Sequence, residues 1–123
     1  MIATVTAEAS GICSAKLVSG TIPSQFDLWH DRAVFHFLTD ASDRAAYATV
    51  MANAVSSGGH AIVGTFALDG PERCSGLPVC RYDKESLAAE FAAHFRLVVS
   101  INEDHITPAG KVQRFQFCRL QRV

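Results

Sequence analysis

Several things are missing from this sequence, and each absence narrows what the chain can be. Charge of one sign is missing: Lys and Arg number 11 against 12 Asp and Glu, for a net charge of -1. Without a basic block, nothing electrostatic draws the chain to nucleic acid or to an anionic membrane. Long hydrophobic runs are missing as well. No apolar stretch approaches the length of a bilayer-spanning helix. The opening MIATVTAEASG has neither a basic region nor a continuous apolar core, so a secretory signal is not expected. Cysteine is sparse and poorly spaced for a metal. Cys13, Cys74, Cys80 and Cys118 contain no C-x-x-C pair, and the five residues SGLPV between Cys74 and Cys80 do not make a zinc knuckle. Four reduced thiols in a cytoplasmic protein are the expectation, with a Cys74–Cys80 loop disulfide as the alternative. Internal repeats and low-complexity tracts are absent too.

What is present is an ordinary globular composition over 123 residues, 49% hydrophobic and 19% charged, enough for one domain with one core. The stretch Phe26–Leu38, FDLWHDRAVFHFL, places His30, Asp31 and Arg32 between two apolar runs. A core strand does not need such a cluster at its end.

The periodicities predict an order of elements. Residues 1–25 are the least patterned, with possible short strands at Ile2–Ala7 and Ala15–Ser19 and a turn at Gly20 and Pro23. Phe26–His30 reads as a strand whose tail turns, and Ala33–Leu38 as a short helix or turn. Thr39–Asp43 offers several N-caps for a helix running to Val55, with Tyr47, Val50, Met51 and Ala54 on one face. Ser56-Ser57-Gly58-Gly59 is expected to end that helix with a left-handed glycine cap. HAIVGTFA, His60–Ala67, reads as a strand covered on both faces by helices. Leu68–Tyr82 is a long loop, of the kind that is often functional. Asp83 caps a second helix with Leu87, Glu90 and Phe91 on one face and close-packed Ala88, Ala89, Ala92 and Ala93. Phe95–Ile106 and Lys111–Leu120 are strands joined by the turn TPAG. Strand–helix–strand units imply a parallel sheet with right-handed crossovers, closed by an antiparallel hairpin.

That order, with the words FDLWHDRAVFHFLTD, SSGGHAIVGTFALDGPERCSGLPVCRYD, FRLVVS and VQRFQFCRL, resembles the C-terminal half of class I S-adenosylmethionine-dependent methyltransferases of a small bacterial type, over about Gln25–Arg122. The resemblance implies an α/β fold with a partial Rossmann-like sheet. Asp27 would open the family's fourth strand, and HAIVGTF would be its fifth. It implies residues 26–123 as a methyltransferase-like half-domain behind an N-terminal segment, 1–25. The sequence departs from the family in one respect. Before Phe26 the only glycines are Gly11 and Gly20, with no G-x-G, and the only acidic residue is Glu8. The glycine-rich cofactor loop and the ribose-binding carboxylate therefore have no counterpart. The family's first strand has no obvious counterpart either.

The resemblance places His30, Asp31 and Arg32 as a vestigial cofactor-side wall of the cleft at the end of the fourth strand, and Phe66, Arg73 and Tyr82 on the substrate side. The bland reading of the first three is a turn with an exposed Asp–Arg pair contributing little to stability. His30 and His36 are spaced neither i, i+3 nor i, i+4, so no metal is expected, and His36 is expected to be a satisfied structural histidine. His60, His94 and His105 fit element ends. Phe35, Phe37, Phe66, Phe91, Phe95, Phe115 and Phe117 are expected in the core, with Phe66 at the cleft edge. The function implied is that of a truncated methyltransferase-like protein, ancestrally transferring methyl groups from S-adenosylmethionine to a small molecule and weak or inactive alone. One alternative is a non-catalytic assembly module that uses the half-sheet as an oligomer interface. Another is an enzyme completed by a second chain. The unpaired edge at Phe26–Trp29 has two remedies: Ile2–Ala7 or Ala15–Ser19 folding back as a strand beside it, or a second chain. The short segments are expected to cover it only in part, so the expectation is a homodimer with residues 1–38 supplying most of the interface.

Overall fold

The computed structural model describes residues 2–5 and 26–123. The strand at Ala15–Ser19, the turn at Gly20 and Pro23, and Cys13 lie outside the described residues. The elements are β1 (Ile2–Val5), β2 (Phe26–Arg32), a 3-10 turn (Phe35–Phe37), α1 (Ala41–Ala54), β3 (Val55–Phe66), β4 (Arg73–Cys74), β5 (Leu77–Pro78), α2 (Lys84–Glu90), β6 (Phe95–Ile106) and β7 (Val112–Arg122). From Phe26 onward this is the predicted order, except that the expected loop Leu68–Tyr82 carries the small β4–β5 hairpin.

The main sheet has the order β1-β2-β3-β7-β6. β1, β2 and β3 are parallel, while β7 runs antiparallel between β3 and β6. The architecture is thus α/β, a partly parallel Rossmann-like sheet with helical crossovers and a C-terminal antiparallel hairpin. Ile2 pairs with Leu28 and Val5 with Asp31, so β1 takes the place beside β2 that the sequence left without a counterpart.

Caps explain where the helices begin. The Asp40 side chain accepts from the Ser42 amide at the start of α1. Asp83 and Ser86 form a reciprocal capping box at the start of α2. The end of α1 corrects an expectation. Val55 is already extended and pairs with Phe26, and no left-handed glycine caps the helix. The ladder instead slips between Phe26 and Leu28, leaving residues 56–59 as a bulge in which Gly58 takes φ +82°. A Cβ on Gly59 would lie 3.0 Å from the Asp27 carbonyl oxygen, so a side chain there would press on the β2 backbone.

The core lies on one face of the sheet. Trp29, Ala61, Val63, Cys118 and Leu120 meet Tyr47 and Met51 of α1, Leu87 of α2, and Phe35 and Phe91. Both helices pack on that face. The expectation of helices on both faces of β3 is therefore not met among the described residues, because the apolar run of β3 sends Ile62 to the other side, where it is only half-buried. Phe117 is half-buried on that side as well, and so is not the core residue expected. α2 is also shorter than predicted. It ends at Glu90, and Ala89, Ala92 and Ala93 are exposed rather than packed. No helix among the described residues is long and apolar enough to cross a membrane.

Candidate functional site

In open α/β sheets, ligands bind beyond the carboxyl ends of the parallel strands. Here β1, β2 and β3 end side by side, with Val5 opposite Asp31 and Arg32 opposite Gly64. His30, Asp31 and Arg32 belong to the strand rather than to a turn after it. Period-2 alternation therefore splits them between faces. Asp31 points to the helix side and is fully buried, while His30 and Arg32 point to the other side and stay partly accessible. They do not form a single wall.

Asp31 is a hub. Its Oδ1 accepts from the Val34 amide at 2.9 Å and its Oδ2 from the Phe35 amide at 3.0 Å. The Tyr47 hydroxyl also donates to Oδ2, and Trp29 Nε1 donates to that hydroxyl at 3.0 Å. Burial pushes the carboxyl up to about 7, against the lowering effect of Tyr47 and the two amides. These bonds fix the turn that leaves the sheet. Ala33 adopts a left-handed conformation, φ 61°, and its amide donates to the Gly64 carbonyl at 2.8 Å. An exposed Asp31–Arg32 pair is thus excluded. Arg32 pairs instead with Glu103, at 3.4 Å across the opposite face.

His36 follows in the same turn, its ring between those of Phe37 and Phe66. Nδ1 accepts from the Phe66 amide at 3.1 Å, which places the proton on Nε2. Nε2 is buried without a partner, so the histidine is only half satisfied. Burial lowers its pKa to about 4.

Of the three residues expected on the substrate side, Phe66 and Tyr82 are joined through the backbone, while Arg73 bonds within its own hairpin. Phe66 is buried against His36 and Phe115. Tyr82 is buried too. Its hydroxyl donates to Glu90 at 2.7 Å and its amide donates to the Phe66 carbonyl at 3.0 Å. Burial, then Glu90, raises the phenol pKa. Arg73 is exposed on the small β4–β5 hairpin and bonds within it, to the Gly76 carbonyl at 3.1 Å. The loop after β3 is well tied. Ala67 bridges to Tyr82, the Cys80 amide donates to the His36 carbonyl, and Ser75 and Gly76, both with positive φ, turn the hairpin. Cys74, Cys80 and Cys118 are free thiols.

Sequence reasoning missed the pairing of Arg44 on α1 with Glu90 on α2, at 2.7 Å, which joins the helices beside the Tyr82 hydroxyl. No sequence spacing marks such a long-range pair. Among the described residues, no group of three potential metal ligands comes together. Nor does any described carboxylate stand ready for a ribose: Asp31, the one at the end of β2, has both oxygens committed. The described residues do not by themselves fit S-adenosylmethionine.

No protein-family model matches the chain, and no curated protein matches it. Solved structures do match. A S-adenosylmethionine-dependent methyltransferase from Methanosarcina mazei aligns at TM-score 0.66 with 10% identity, over 84% of this chain and 63% of its own. The N-methyltransferase NodS from Bradyrhizobium japonicum, with S-adenosyl-L-homocysteine, aligns at 0.59 with 13% identity, over 86% of this chain and 50% of its own. The 1,6-didemethyltoxoflavin-N1-methyltransferase of Burkholderia thailandensis aligns at 0.65 with 17% identity, over 87% and 48%. The chain spans about half to three-fifths of the length of these proteins. Over that span it has the class I S-adenosylmethionine-dependent methyltransferase-like fold.

Proposed function

We propose that the chain belongs to S-adenosylmethionine-dependent methyl transfer onto a small molecule, that it supplies the acceptor side of such a cleft, and that alone it holds the cofactor weakly. The observation that carries the reading is the fold match, which includes enzymes solved with S-adenosylhomocysteine. The convergence of the β1, β2 and β3 ends with the tied loop after β3 supports it. Weakness alone is supported by the missing G-x-G before Phe26 and by the commitment of Asp31 to the turn. Each lost charge-assisted hydrogen bond to the cofactor costs about 1.5–3 kcal/mol. Sheet order adds to this. Dinucleotide-type clefts open where the strand order reverses, and the described parallel strands step only one way. The reading places the chain in the cytoplasm, supported by three free thiols.

Calorimetry of the purified chain with S-adenosylmethionine and S-adenosylhomocysteine tests this. Saturable binding weaker than about 10 μM, roughly -7 kcal/mol, with the two ligands competing, is the expected result. Tighter binding would overturn the claim of weakness. No heat at millimolar ligand would remove the methyl-transfer reading.

A further inference from the structure

The two described crossovers run the same way. The steps from β2 to β3 and from β3 to β6 each join strands that point the same way, and each moves further along the order β1-β2-β3-β7-β6. Right-handed steps in one direction all pass over one face. That is the face that holds α1, α2 and the core. On the opposite face of β2, β3, β7 and β6, Phe66 and Phe115 are buried at the end beside the 3-10 turn, but no described helix lies over the rest, which carries an apolar patch next to exposed Arg119. Ile62 and Phe117 are half-buried there, and Val99 and Ile101 are 48% and 57% exposed. They border a shallow groove of about 200 Å³. Arg32 lies over the Phe115 and Phe117 rings, 4.7 and 5.7 Å from their centres, on its way to Glu103.

We propose that a second copy of this chain docks on this face, sheet against sheet, to form a two-fold dimer. Size favours this occupant. Four strands about 4.8 Å apart, with roughly nine residues of about 3.3 Å each, present about 600 Å². Two copies would then bury about 1,200 Å², the lower bound for specific, stable interfaces. Shape favours it as well, because flat faces pack on one another about 10 Å apart, with strands crossing at about -30°, whereas a shallow open groove encloses no small ligand. A two-fold axis along the strands, between β3 and β7, sets β2 of one copy over β6 of the other. Arg119, in register with Ile62 and Val99, then lies near its own copy, its guanidinium directed along the face to His60 at 3.4 Å. The interface lies on the sheet face and not at the β2 edge, which β1 already covers.

The inference is independent of cofactor binding and is read from mass alone. Sedimentation equilibrium of the full chain at micromolar concentration should give a two-chain mass. Ile101→Glu and Val99→Glu each place a charge on an already exposed position, so the monomer keeps its far-ultraviolet circular dichroism. Each should weaken association by about tenfold or more, equivalent to about 1.4 kcal/mol. Ile106→Glu, 67% exposed on the other side of β6, should leave the dimer intact. A single-chain mass for the unmodified protein overturns the proposal, as does a dimer that survives both face substitutions. Should one variant fail to fold, the other decides.

Discussion

Asp31 and His36 sit five residues apart in one turn and respond to pH in opposite senses. The carboxyl of Asp31 is raised to about 7, so between about pH 4 and 7 the folded state binds a proton that the unfolded state has released. Its contribution therefore falls as pH rises through that window. The imidazole of His36 is lowered to about 4, so between about pH 4 and 6.5 the unfolded state binds the extra proton. Its contribution rises with pH over that range. The two slopes oppose one another, and the unmodified chain should show a shallow pH profile there. Asp31→Asn should expose the His36 slope alone, with stability falling by a few kcal/mol between pH 6.5 and 4. Asp31→Ala should cost more than Asp31→Asn, about 2–4 kcal/mol at pH 7, because two amides and the Tyr47 hydroxyl lose their acceptor in a buried site. Urea melts across that range check both. A steep profile in the unmodified chain, or an Ala variant as stable as Asn, would show that Asp31 is not the acceptor holding this turn.

At the scale of elements, the strongest packing constraint is between β3 and β7. The Phe117 ring lies across Gly64, and a Cβ added there would sit 2.3 Å from the ring. Gly64→Ala must push the ring outward, at about 1–3 kcal/mol. Removing the ring removes the clash, so Gly64→Ala combined with Phe117→Ala should cost clearly less than the sum of the single changes. Additive urea-melt values would mean that the ring already has room to move. Local signals were legible where they are dominated by local physics. A cap within Thr39–Asp43, which the structure narrows to Asp40, Asp83 as a cap, Phe95–Ile106 as a strand and the TPAG turn all follow from side-chain chemistry within a few residues. Ser56-Ser57-Gly58-Gly59 misled because glycine after a helix signals a left-handed cap, whereas pairing of Val55 with Phe26 extends the chain at once. The HDR cluster misled for a similar reason. Whether Asp31 ends a strand or continues it depends on β1 and β3, whose pairing no local pattern reveals.

For the whole molecule, the order of elements from Phe26 to Arg122 was readable, and the covering of the sheet was not. An apolar run such as HAIVGTF does not report which side will carry a helix; the direction of the crossovers does. The pairing of Ile2–Val5 with β2 was legible as one of two ways to cover that edge, though not its register, which is set only once the sheet exists. That strand makes a prediction. β2 is sandwiched between β1 and β3, and deleting residues 1–5 would leave its outer N–H and C=O groups as a new edge. A bare edge beside buried Trp29 is a template for pairing with other chains. The deleted chain should therefore melt earlier and should form aggregates whose amount grows with concentration, beyond any discrete dimer. Replacing the outer edge chemically should reverse this: adding a free peptide of the sequence MIATV should restore part of the lost stability in proportion to its concentration, as ligand binding to the folded state requires. Thermal melts of the deleted chain with and without the peptide, alongside light scattering, decide the matter. A deleted chain that melts with the intact one and scatters no more light would mean that β1 contributes no protection, and that β2 is guarded by something other than its parallel neighbour.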